Sequence, residues 1–515
     1  MTESKERAAE VEAQKWRAFI AIAISFVTMV FSMTMVFVAL SAIADDFGVT
    51  LRAVSWVVIV QSLVISALMM PMGRIADMVG RRRVHLVGLV LFAAGSLAVV
   101  LAPTFELMIA ARVVMAVGNA MGQAVGTAMI VAVFPANERG KALGSQTSVV
   151  AIGAAMGPIV AGFVLQALPW EALFLMLLPP LLVAFVAGYR YLDEAVVSGS
   201  GAGAGAGAGA DAGHARPDFD WGGATLSALA ITALVLTVSN PLAVGWTSPT
   251  MVVSVVAIVV LTAAFISWEL RQPEPMLQLR FFTSPTFSMA VTSRTLGFVG
   301  STAVMFLMPI YLISVLGLRE ASTGAVLFLT SLGMGLAANQ AGRSSDRFGE
   351  RPLFVAGFAI HAFTLAGLAL LGQEVSLWVV MALLFGNGVA LGLWNVPNGS
   401  AILGAVPSEH LGVVGAFMNL TRNLGNVLGQ ALASAVVVGV MAARGFDIPL
   451  SKIGANPGAV TAFLHGWRIA YAAVTVLSVL ALGLAWLTRP TPGSPPPPLA
   501  PLPASAVVGV RPRPT

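Results

Sequence analysis

The sequence predicts an all-α polytopic membrane protein, and three observations predict it. Charged residues make up 10% of the 515, against roughly a quarter in a soluble domain. Hydrophobic residues make up 57%, with a mean hydropathy of +0.89. The apolar residues gather in about fourteen stretches, each near the roughly 20 residues that a helix needs to cross a bilayer. A water-soluble globule could not cover so much apolar surface, which excludes a soluble enzyme. The net charge of +5 is spread along the chain and makes no nucleic-acid footprint. Cysteine is absent, so disulfides, a thiol nucleophile and thiolate metal sites are excluded. The short alternating segments of a membrane barrel are not seen.

The predicted spans run 17–41, 54–73, 84–103, 107–134, 142–167 and 171–191, then a pair at 221–241 and 249–269, then 286–316, 321–342, 352–372, 376–406, 411–442 and 463–488. Residues 1–16 are charged and read as a cytoplasmic tail, not a signal peptide. With that start, loops on the cytoplasmic side hold about 20 Lys and Arg, against about 5 opposite: Arg52, Arg319, Arg444, Lys452 and Arg468. An even span count then puts both termini in the cytoplasm. Residues 193–220 include SGSGAGAGAGAGADAG and read as a flexible cytoplasmic linker, reaching roughly 25–30 Å as a coil. Residues 490–515 read as a disordered Pro-rich tail.

The chain repeats itself. Gly73-Arg-Ile-Ala-Asp77-Met-Val-Gly80 and Gly342-Arg-Ser-Ser-Asp346-Arg347-Phe-Gly349 share Gly-Arg-x-x-Asp-x-x-Gly at the end of the second span of a six-span block. Gly153-xxx-Gly157-Pro158 pairs with Gly425-xxx-Gly429-Gln430, and Trp170 with Trp467. Two homologous six-helix bundles, 17–192 and 286–489, with an inserted helical pair at 221–270, account for these matches. Parallel repeats of this kind place a transporter's site at their interface near the midplane.

These motifs resemble the major facilitator superfamily, specifically its fourteen-span drug:proton antiporter branch. The likeness covers about residues 15–490. It rests on Gly73, Asp77, Gly80 and Arg81 to Arg83 between spans two and three, on Arg112 with Gly118 and Gly122, on Gly153, Gly157, Pro158 and Gly162 as the antiporter motif, and on Ser55-Trp56-Val57-Val58. The resemblance implies the major facilitator fold and an exporter driven by proton exchange. The chain departs from the branch at Ser32, where an acid is usual, at Ser41 for Pro, at Gln61 for Tyr, and at Glu171-Ala172 for Arg-Trp.

The candidate substrate cavity comes from polar stripes on apolar helices. Arg112, Asn119, Gln123 and Thr127 share one helical face beside Gly118, Gly122 and Gly126. Asn419, Arg422, Asn423, Asn426 and Gln430 repeat the design beside Gly425 and Gly429, and Ser25, Thr28 and Ser32 make a milder stripe. Gln61, Arg294, Trp394 and Asn395 complete the expected lining. Such amides either line a cavity or join helices; three stripes favour the cavity. Arg112 and Arg422 are assigned to charge or proton coupling, because an Arg in a span costs about 2.5–3.5 kcal/mol and needs water, carbonyls or an acid to face. No acid lies deep in a span, so Asp45 and Asp46 at the outer end of the first are the nearest coupling candidates, and no single proton carrier stands out. His361 reads as a packed histidine. Gly73, Asp77, Gly80, Arg81, Arg82, Asp346 and Arg347 suit a conformational latch.

The expectation is a monomeric, non-enzymatic exporter of amphipathic drugs or metabolites in a bacterial cytoplasmic membrane, working on a small molecule and protons within lipid. It needs no cofactor, no metal and no nucleic acid. GxxxxGK[ST] is absent, so ATP is not the obvious energy source. A proton-coupled importer, or an exporter of one endogenous lipid or metabolite, remains the alternative.

Overall fold

The computed structural model describes residues 2–134, 139–197, 220–240, 244–245, 248–272, 279–406, 411–446 and 453–488. Most of the expected linker and the whole expected tail lie outside these residues. The helices are α1 (Thr2–Phe47), α2 (Leu51–Val79), α3 (Arg81–Val100), α4 (Phe105–Val133), α5 (Arg139–Ala167), α6 (Glu171–Leu175), α7 (Leu178–Tyr191), α8 (Glu194–Val197), α9 (Trp221–Ser239), α10 (Pro249–Glu269), α11 (Pro285–Ile310), α12 (Glu320–Phe348), α13 (Glu350–Ala369), α14 (Leu377–Gly404), α15 (Leu411–Ala443) and α16 (Pro457–Leu487). There is no strand among the described residues.

Among the described residues fourteen segments are long and apolar enough to span a membrane, one for each predicted span. The N-terminal tail is helical from Thr2 and runs unbroken into the first span. The sixth span is two pieces, α6 and α7, because Pro179 and Pro180 open the second piece and have no N–H to give the first. Polar N-caps start several spans: Thr50, Thr104 and Ser248 accept from the N–H groups of Ala53, Leu107 and Met251. Beyond Pro309, α11 widens into a π-turn over Tyr311–Val315, and the Tyr311 hydroxyl donates to the Gly372 carbonyl at 2.6 Å.

The two bundles are built alike. In the first, α5 lies on α1: a Cβ on Gly153 would meet the Val27 backbone, and one on Gly157 would meet Thr34. In the second, α15 lies on α11: a Cβ on Gly425 would meet Thr295 and Phe298, and one on Gly429 would meet Val299. The sequence repeat is therefore a repeat of close helix approach, since small residues let backbones touch where lipid supplies no hydrophobic drive. The bundles meet along two seams, α5 on α12 and α15 on α2. At the first seam Gly162 faces the backbone of Glu320 and Ala321, and Gly324 faces that of Pro158.

The apolar core is not uniform along the helix axes. We call the end that carries the Gly80 and Gly349 turns the basic end. At the opposite end one continuous core joins both bundles, including Met35 and Leu40 of α1, Ala161 of α5, Val304 and Leu307 of α11, and Leu327 of α12. Towards the basic end each bundle has its own cluster. Phe19, Phe26, Met129 and Phe134 gather in the first bundle, while Phe354, Phe358 and Trp394 gather in the second. Smaller clusters, Ile59 and Leu63 with Val427 and Ile65, Met69 and Ala120 with Leu420, still join α2 and α4 to α15. The halves thus share one large core at one end and only small ones along the α2–α15 seam towards the other. Of the inserted pair, α9 packs on α2 and α15, and α10 packs on α9 with its valines outward.

Candidate functional site

The geometry of the midplane starts with the roll of α4. Its glycines are committed to neighbours: a Cβ on Gly118 would strike Gly88 and Phe92 of α3, one on Gly122 the Met29 side chain, and one on Gly126 the Phe26 ring. Packing on that strip turns Asn119 and Gln123 towards the second bundle. Gln123 Nε2–H donates to Asn119 Oδ1 at 2.7 Å, and Arg422 Nη2–H reaches Gln123 Oε1 at 3.4 Å from across the seam. Asn423 Nδ2–H points across to Met69 Sδ at 3.6 Å, and Asn426 Oδ1 accepts from Thr302 Oγ1 at 2.7 Å.

Arg294 joins this group from α11. Its Nη1 donates to Asn395 Oδ1 at 2.8 Å and to the Asn395 carbonyl at 3.3 Å, and its guanidinium sits 5.1 Å from the Phe298 ring centre. Arg422 is set beside this part of α11 by the α15 contact: a Cβ on Gly425, three residues on, would meet the Thr295 carbonyl, and Met418, one turn before Arg422, packs with Arg294 Nη1 around Gly399. Arg294, Asn119, Gln123 and Asn423 are buried, whereas Arg422, Asn395 and Asn426 keep partial exposure although they lie well inside their helices. The expected residues Asn119, Gln123, Arg294, Asn395, Asn423 and Asn426 thus gather with Arg422 at and beside the α4–α15 contact.

Arg112 lies elsewhere, one polar step closer to the opposite end. It is fully buried, with Nε and Nη2 donating to the Val57 carbonyl at 3.1 and 2.9 Å. Nη2 also donates to Gln61 Oε1, and the Phe174 ring lies 5.5 Å from the guanidinium carbon. The guanidinium therefore ties α4 to α2 within the first bundle. Trp394 is fully buried in the second bundle, stacked on Phe358 with 13° between rings and edge-on to Phe298. Ser32 is buried and donates to the Met29 carbonyl of its own helix at 2.8 Å. Asp45 and Asp46 are exposed at the opposite end, where Trp170 Nε1–H donates to Asp46 Oδ2 at 3.1 Å.

At the basic end, the turn between α2 and α3 is clasped from outside. Gly80 has φ +114°, a conformation side chains resist, and the Glu194 carboxylate fills the place its Cβ would take. Arg81 bonds Asp77 at 3.0 Å, and its Nη1 donates to the Val197 carbonyl at 3.1 Å. Arg82 Nη2 donates to the Tyr189 carbonyl at 2.6 Å, and its backbone N–H reaches Glu194 Oε1 at 3.4 Å. A carboxylate suits the positive end of α3. In the second bundle Gly349 repeats the positive φ, at +81°, with open space around it; the side chains of Asp346 and Arg347 lie outside the described residues.

Sequence reasoning missed two features, the clasp and the Asp220 tie, while its reading of His361 as a packed histidine fits the structure. The clasp residues Glu194 and Val197 sit on a four-residue helix too short to give a periodic signal. His361 is bracketed by hydroxyls, with Ser301 Oγ at 3.2 Å from Nε2 and Ser478 Oγ at 3.1 Å from Nδ1, so it knits α11, α13 and α16. Asp220 joins the inserted helices, capping α9 at Gly223 and accepting from Trp268 Nε1 at 2.7 Å.

Comparison with known proteins fits this architecture. The family model described as "Major Facilitator Superfamily" matches residues 20–430 and again 290–514. The riboflavin transporter RibZ of Clostridioides difficile is 29% identical over 421 residues, 82% of this chain and 88% of that protein. The multidrug resistance protein Stp of Mycobacterium tuberculosis is 28% identical over 408 residues, 79% of this chain and 73% of that one. A bacterial homologue of the lysosomal transporter Spinster, solved in an inward-facing and unoccupied conformation, superposes with a TM-score of 0.62 at 14% identity, covering 92% of this chain and 97% of that chain. With the fourteen spans, the duplicated bundles and the Gly80 and Gly157-Pro158 motifs already in place, this chain belongs to the Major Facilitator Superfamily, alongside relatives of its drug-exporter branch.

Proposed function

We propose that this transporter exports amphipathic organic compounds across the cytoplasmic membrane by proton antiport, with the two bundles rocking about the Gln123–Arg422 contact. The observation that carries the reading is the uneven core: one large apolar mass joins the bundles at the opposite end, whereas towards the basic end each has its own cluster and they share only small ones along α2 and α15. With basic loops facing the cytoplasm, the less firmly joined end is the cytoplasmic one and both termini lie inside. Substrate enters there, reaches the polar group around Gln123 and Arg422, and leaves after the α5–α12 seam opens. The electrical part of the proton gradient supplies about 2.3 kcal/mol per charge per 100 mV. The Gly157-Pro158 motif and the resistance proteins among its relatives support export over import.

Purified protein in proteoliposomes tests this. An imposed pH gradient, acid on the side opposite the termini, is expected to drive an amphipathic dye towards that side, and a protonophore to abolish the flux. Dye moving down its own gradient at a rate indifferent to pH, or moving with the protons, sinks the antiport reading.

A further inference from the structure

We propose that Arg294 and Arg422 form an anion seat, so that the transported compound carries a carboxylate, sulfonate or phosphate on an otherwise apolar body. This rests on the transport reading above and names the substrate class of that site.

The starting point is charge balance inside the membrane. Beyond the N-terminal stretch of α1, every acid in a described spanning helix lies within two residues of a helix end. Arg294 and Arg422 lie nine and eleven residues inside α11 and α15, roughly 13–17 Å along each axis. The two cations thus sit at similar depth on packed helices, since Gly425 of α15 meets Thr295 and Phe298 of α11, with no acid deep in a described span to balance them. A buried charge without a counter-ion is costly. Such an arrangement persists where a mobile anion completes it.

The bonding points the same way. Arg112 shows what a structural arginine looks like here, with two donors on one carbonyl and a third on Gln61. Arg422, by contrast, has one acceptor among the described residues, Gln123 Oε1 at 3.4 Å, and keeps partial exposure. Arg294 is only 7% exposed, and its Nε–H has no acceptor among the described residues. Asn395 fixes the other edge of that guanidinium at 2.8 Å. The donors left over belong to neighbouring turns of α11 and α15, and an oxyanion is the group that accepts from such guanidinium forks. Asn119 Nδ2, buried without an acceptor, adds a neutral donor from the first bundle. The apolar body has Phe298, beside Arg294, and Met418, whose methyl reaches Gly399 next to the same guanidinium, to lie against. Because Gln123 ties Arg422 to the first bundle, an anion that takes up Arg422 competes with a contact between the bundles, which couples binding to their separation.

The test uses full-length protein in nanodiscs of neutral lipid, with 1-pyrenebutyrate and its methyl ester as a matched pair. Fluorescence anisotropy is expected to show the acid binding at least about tenfold more tightly than the ester. The acid-to-ester preference is expected to vanish in Arg294→Gln and in Arg422→Gln. Equal binding of acid and ester to the wild-type protein overturns the proposal, as does an acid preference that survives in both variants. If a variant does not fold, the wild-type ratio alone decides. Acid preference without pH-driven flux would leave the seat standing and sink the antiport; pH-driven flux with no acid preference would do the reverse.

Discussion

Arg112 grips the Val57 carbonyl with two nitrogens, Nε at 3.1 Å and Nη2 at 2.9 Å, and so locks α4 against α2. Gln61 takes a further hydrogen bond from the same group. Replacing Gln61 with Leu keeps the volume but removes that acceptor from a fully buried cation. A loss of about 1–3 kcal/mol is expected, read as a lower thermal midpoint of the purified protein. Arg112→Lys is expected to cost at least as much, since an ammonium cannot reproduce the fork. An unchanged midpoint in both would mean the grip carries no weight.

The α5–α12 seam depends on Gly324, whose absent Cβ leaves room for the Pro158 carbonyl. Gly324→Leu is expected to prise that end open and shift the resting population. The chain has no cysteine, so a single Ala161→Cys can report it: Ala161 is fully buried in the joined core. An impermeant maleimide is expected to label that thiol markedly faster in the Gly324→Leu background. Equal labelling rates would show that the seam tolerates the side chain.

The two basic-end turns are expected to respond unequally to one substitution. Gly80→Ala pays for both its φ of +114° and a collision 2.8 Å from the Glu194 carboxylate, while Gly349→Ala pays only for a φ of +81°. Backbone strain of this kind costs about 1–3 kcal/mol. Unfolding of the two variants side by side should rank Gly80→Ala as the less stable; the reverse order would rule out the clasp.

Asp77 and Arg81 make an exposed pair, with side-chain exposures of 48% and 24%. Exposed pairs contribute about 0–1 kcal/mol, so Asp77→Asn is expected to leave the thermal midpoint nearly unmoved. If the pair biases the two end states, the same variant changes the flux rate at constant midpoint. A fall in midpoint with normal flux per folded molecule would make it a structural contact.

The spans were legible because lipid permits so few solutions: roughly 20 apolar residues must come together and satisfy their own backbones. The duplication was legible because Gly157 and Gly429 do the same steric work in each bundle. Which way a polar residue faces was harder. Gln123 and Asn423 point across the seam as their stripes suggest, yet Trp394 and Arg112 turn into the interior of a single bundle. Helical spacing gives a face but not which neighbour covers it, and α2 and α15 are far apart in sequence. The Glu194 clasp escaped notice because it joins a helix of only four residues to a turn more than 110 residues earlier, a contact that no local pattern encodes.

The insertion breaks the molecule's twofold likeness in a way that bears on traffic through the lipid. Val235 of α9 fills in against Ile59 and Leu63 of α2 and Val427 of α15, plugging that flank like a shutter. The matching flank, between α5 and α12, has no such shutter among the described residues. A guest dissolved in the bilayer would therefore meet a covered wall on one flank and a bare two-helix seam on the other, an asymmetry that the duplicated bundles alone do not have.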